Sequence, residues 1–75
     1  MSENQIKQEE SLKSLRTVRE IIHNEFNMLN SELKKRSMGD NGVSEILEGM
    51  SKNIEACRYI EMLISDIEFE KEYLS

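Results

Sequence analysis

Two stretches of this chain repeat mostly apolar residues at alternating gaps of three and four. The first is Leu12, Leu15, Arg19, Ile22, Phe26, Leu29, Leu33, Arg36. The second is Val43, Ile46, Met50, Asn53, Cys57, Ile60, Ile64, Ile67, Lys71, Leu74. That spacing keeps one stripe of side chains on one face of an α-helix. Between the two lies Ser37-Met38-Gly39-Asp40-Asn41-Gly42, the only cluster of turn-forming residues. Pro is absent and two of the three glycines sit in this cluster, so nothing else is placed to break either periodic segment.

The fold class predicted is all-α: an antiparallel, coiled-coil-like two-helix hairpin forming one domain over residues 1–75. Helix one is expected over about 3–37, the turn over 38–42 and helix two over about 43–73. Ser2-Glu3-Asn4-Gln5 has the form of a capping box, which would start the first helix near residue 3. Only Ile6 among the first ten residues is a core-type side chain long enough to anchor that end, so fraying is expected there. Gly39 is the expected left-handed cap of the first helix, with Asp40, Asn41 and Gly42 tolerating positive φ in the reversal. Glu3–Lys7, Glu9–Lys13 and Glu32–Arg36 are spaced as i,i+4 ion pairs in the favourable order.

A reversal at Gly39 pairs positions whose numbers sum to about 79. Leu33 then faces Ile46, Leu29 faces Met50, Ile22 faces Cys57 and Leu15 faces Ile64, with Phe26 over Asn53. The polar seam residue Arg19 falls beside Glu61, the expected register-setting pair. Gly49 lies next to the seam, where it either admits the close approach of a neighbouring backbone or is tolerated without any role.

A hairpin needs one apolar stripe per helix, and this chain has more. Leu47, Ile54, Ala56 and Leu63 widen the apolar face of helix two. Opposite them runs a second series, Tyr59, Met62, Asp66, Phe69, Tyr73, which holds three of the four aromatic residues. Helix one adds Ile21 and Met28 off its seam. A helix apolar on two sides packs between neighbours. The expectation is a homodimer, two hairpins making a four-helix bundle, with Tyr59, Met62, Phe69, Tyr73, Ile21 and Met28 as the oligomer interface or a protein-docking site. The sequence does not separate those two uses.

Charge narrows the partners. The net charge is −5, with seven Lys/Arg against six Asp/Glu in residues 1–37 and three against nine in residues 38–75. An acidic second helix opposes binding to phosphate backbones, so no nucleic-acid partner is expected. Lys34-Lys35-Arg36, the one basic run, suits the C-terminal dipole of the first helix. Acids around the Tyr59–Tyr73 series would steer a basic protein partner. No segment has the roughly 18 apolar residues of a membrane span, and the N-terminus lacks a signal-peptide pattern. A single cysteine on a core position suits a reducing, cytoplasmic setting.

Chemistry-bearing motifs are sparse. The register brings His23 close to Cys57, but two ligands are too few for a tetrahedral zinc site, so no metal and no cofactor is expected. A catalytic thiol needs an exposed, electropositive setting, whereas Cys57 sits on the seam. Arg16 and Arg19 before His23 leave a small helical enzyme as the weakest reading. The sequence therefore favours a non-catalytic, protein-binding regulator or adaptor acting through a helix face, with a structural or assembly subunit of a larger helical complex as the alternative.

Overall fold

The computed structural model describes residues 3–37 and 39–73 and is an all-α helical hairpin. Helix α1 runs Glu3–Lys34 and helix α2 runs Gly42–Tyr73, each of 32 residues. The two lie antiparallel in a rod of 56 × 15 × 12 Å. Ser2, Met38 and Leu74, given a cap, a turn and a seam position above, lie outside the described residues.

The seam forms where the spacing places it. Leu12, Ile60 and Ile64 are buried together, with Leu15, Ile22 and Ile67 packed against them. Val43 and Ile46 are buried at the turn end. These five are the whole buried set among the described residues, because two helices cover one another on a single side only. Between the two buried ends, Ile22, Phe26, Asn53 and Cys57 remain half-buried, and the Asn53 Nδ2 has no hydrogen-bond partner among the described residues.

The register matches the expected sum. Ile22 and Phe26 line one groove with Asn53 and Cys57. Across from Leu29, a Cβ added at Gly49 would stand 3.2 Å from the Leu29 Cδ1, so the close neighbour is a side chain and not a backbone. At the open end, Lys71 Nζ donates to Glu9 Oε1, an ion pair between the helices. Glu9 thus turns across the hairpin and not along α1 to Lys13. The first ten residues, expected to fray, are helical from Glu3, and Glu9 ties them to α2.

The reversal differs from expectation in its chemistry. Helix α1 stops at Lys34, three residues short of position 37. No described residue has a positive φ, so Gly39 is not a left-handed cap. The chain turns instead through tight i→i+3 bonds: Lys35 N–H donates to Glu32 O (3.2 Å), Arg36 N–H to Leu33 O (3.1 Å) and Asp40 N–H to Ser37 O (3.0 Å). Such bonds satisfy the last carbonyls of a helix without a left-handed residue. Asp40 then opens α2. Its Oδ1 accepts the Gly42 N–H at 2.8 Å and its carbonyl accepts the Val43 N–H at 3.2 Å, the pattern of an N-cap.

Candidate protein-binding faces

The seam of α2 faces α1, so residues half a turn away must face outward. Tyr59, Met62, Phe69 and Tyr73 are all exposed, from 53% for Met62 to 66% for Tyr73. The Phe69 and Tyr73 rings, four residues apart, stack at 4.8 Å between centroids with an interplanar angle of 39°. They form a continuous apolar ledge at the open end of the rod. On α1, Ile21 and Met28 are exposed as well. Each of the six interface candidates therefore presents its side chain outward from the hairpin.

Carboxylates surround the ledge. Glu68 and Glu72 share a shallow groove with Arg19, Glu61, Ile64, Ser65, Phe69 and Tyr73. Asp66, Glu68, Glu70 and Glu72 are exposed, and none is in an ion pair among the described residues. Three of them lie in the last two turns of α2, where negative charge opposes the helix's own dipole. Arg19 and Glu61 line the same groove but make no ion pair. The hairpin ties its helices electrostatically through Glu9 and Lys71 instead.

A second groove holds Ile22, His23, Phe26, Asn53, Ile54, Cys57, Arg58 and Glu61. His23 and Cys57 do come to the same place, and Cys57 is a half-buried free thiol. Among the described residues no group of three His, Cys, Asp or Glu is arranged to hold a metal ion.

The tip carries a small charge network. Arg36 reaches Glu32 Oε1 at 3.3 Å with one guanidinium nitrogen and Asp40 Oδ1 at 3.1 Å with the other. The Gly42 N–H bound to Asp40 holds its carboxyl below the ordinary carboxylate range, and the Arg36 hydrogen bond and charge act in the same direction. Lys34 and Lys35 on the same tip make no ion pair among the described residues.

Sequence reasoning missed Val18, which is 45% exposed. The signal was its position three residues before Ile21, repeating the Tyr59–Met62 gap on α2. Glu9 was also missed as an interhelical residue, because an i,i+4 partner in sequence masked the one across the hairpin. No helix is long and apolar enough to cross a membrane among the described residues. Comparison with protein-family models, curated proteins and solved structures finds no match for this chain.

Proposed function

We propose that this chain is a non-catalytic, protein-binding regulator or adaptor that docks a helix of another polypeptide onto its outer face. The observation that carries this reading is the exposed Tyr59–Met62–Phe69–Tyr73 ledge on α2. Tyr, Phe and Met on one rigid helix face supply the large, low-entropy contacts that dominate helix-in-groove recognition. The carboxylates beside it repel acidic partners and draw basic ones. In this reading the protein works in the cytoplasm, needs no cofactor, and pairs as a homodimer into a four-helix bundle. A regulator built this way acts by exchange, since one surface serves both self-pairing and a target's helix.

The alternative role, a structural subunit of a larger helical complex, is favoured by the small buried set of the lone hairpin. Substituting Tyr59, Phe69 and Tyr73 together by Ser separates the two. A regulator loses its protein partner in affinity capture from the native host while retaining helicity in circular dichroism. A purely structural subunit loses its assembly and its helicity together, and that result would overturn the regulator reading.

A further inference from the structure

One groove of the hairpin is apolar through its middle and the other is charged. Ser11, Ser14 and Leu15 of α1 line the first with Leu63 and Ile67 of α2. Seven residues are about two helical turns, so Val18 and Ile21 continue the side of Ser11 and Ser14. By the same step Met28 follows Ile21, and Ala56 precedes Leu63. The α1 side chains stand well out of this face, from 45% exposed for Val18 to 73% for Met28. The opposite groove carries Arg19, His23, Arg58 and Glu61 over the same stretch. Phe69 lines that opposite groove, so most of the aromatic ledge lies off the apolar one.

We infer that a second copy of this chain covers the apolar groove, related by a two-fold axis parallel to the rods. Both reversals then lie at one end, and α1 of each copy packs on α2 of the other. The inference rests on the self-pairing reading above and deepens it by naming the face and the orientation.

Register, shape and charge all fit this occupant. An axis along the rod keeps every level opposite itself. Residues whose numbers sum to about 79 share a level in this hairpin, as Glu9 with Lys71 and Leu29 with Gly49 show. Val18 therefore meets Leu63 of the copy, apolar on apolar. Ile21 arrives beside Ala56 of the copy, and the protruding Met28 arrives between Gly49 and Lys52. Large side chains on α1 thus face small ones on α2. A copy turned end for end with full overlap would set Met28 against Lys7 and Ser11 instead.

The charges on this face pair by the same rule. Glu25 comes level with Lys52 of the copy, Lys35 with Glu45, and Lys7 with Glu70, each within about 3 Å along the rod. All three are opposite in sign, and symmetry makes each of them twice. Glu25, Lys35, Glu45 and Glu70 make no ion pair inside the hairpin among the described residues. One contact is unfavourable: Asp66 of each copy stands about one turn from Glu10 of the other. A long face of the rod, 56 Å by 15 Å, is large enough for the ~800 Å² per partner of a standard interface. Of the aromatic ledge, Tyr59 borders the covered face, one turn before Leu63. It is the residue at which self-pairing and a target's helix compete.

Cysteine cross-linking reads the orientation. Val18→Cys and Leu63→Cys are each made with Cys57→Ser, checked for helicity, mixed, and oxidised with oxidised glutathione. The mixture is expected to give a covalent dimer on a non-reducing gel while each variant alone does not, because a disulfide needs Cα atoms within about 7 Å. Val18→Cys cross-linking to itself as readily as in the mixture means end-for-end packing and overturns the inference. A dimer in sedimentation with no cross-link in the mixture overturns the face and leaves the self-pairing reading standing. A monomer at micromolar concentration overturns both. A charge exchange tests the face without touching the seam. Glu25→Lys and Lys52→Glu are each expected to raise the dimer dissociation constant about three- to tenfold. Mixed together they are expected to form a heterodimer with the parent's affinity, since each reversed charge then meets its opposite across the axis. Heterodimers no tighter than the two homodimers would mean that Glu25 and Lys52 do not meet between copies, and would overturn the register.

Discussion

Helix α2 carries two stripes of nearly identical spacing, and the hairpin treats them oppositely. Val43, Ile46, Ile60 and Ile64 disappear against α1, while Tyr59, Met62, Phe69 and Tyr73 stay on the surface. The outer stripe has the larger side chains and would bury more area per residue. It remains outside because a short reversal lets α1 lie along one side only, and the α1 seam of Leu12, Leu15 and Ile22 fixes which side that is. The aromatic stripe is thus available for a contact that the monomer cannot make.

The sharpest way to break this comparison is to cut one residue from each stripe. Ile64→Ala removes a side chain that is 5% exposed in the main cluster and is expected to cost about 2–5 kcal/mol, seen as loss of helicity on urea titration. Met62→Ser, two residues away but outward, is expected to change the stability of the dilute hairpin by only ~0.5 kcal/mol. Equal losses in both would show that the stripes are not distinct.

A second test compares the two kinds of interhelical tie. Glu9→Gln and Lys71→Met in a double-mutant cycle are expected to couple by about 0.2–1 kcal/mol, since both side chains are partly solvated. The same cycle on Arg19 and Glu61 should give no measurable coupling, and a clear coupling there would restore that pair as the register device.

Gly49→Ala is a smaller perturbation. Helix propensity favours Ala by ~1 kcal/mol. The new Cβ at 3.2 Å from Leu29 Cδ1 requires that side chain to give way by a few tenths of an ångström. A net stabilisation below the full propensity value is expected on thermal unfolding. A destabilisation would mean that Leu29 is held rigidly.

The smallest expected effect is at the tip. The Asp40 carboxyl is held below its ordinary range in the folded hairpin. Its contribution is therefore present above the unfolded-state value and lost as pH falls through the lower, folded-state value. Asp40→Asn, which retains an acceptor for the Gly42 N–H, should flatten the acid limb of the stability profile while leaving neutral-pH stability closer to the parent than Asp40→Ala does.

Much of the fold is legible in the residues. The seams, the single reversal and the pairing of Ile22 and Phe26 with Cys57 and Asn53 follow from spacing and the position of the turn. The closing chemistry is less legible. Gly39 has the composition of a left-handed cap, yet the chain closes with i→i+3 bonds and lets Asp40 cap α2, because a short tight turn satisfies the same carbonyls. Glu9 offers an i,i+4 partner and a cross-hairpin partner with similar local cost, and only the three-dimensional register selects Lys71. For the candidate faces, spacing identified which residues share a side of a helix, and it missed Val18 because three exposed residues on α1 make a weaker signal than an aromatic run.

Sequence alone determined that this chain forms two amphipathic helices folded back once, since periodicity and turn residues are local properties. Tertiary structure decided which carboxylate crosses the hairpin and how the turn is capped. Those choices depend on where individual side chains and backbone groups come to lie once the helices are packed, and residue spacing along a helix does not fix that.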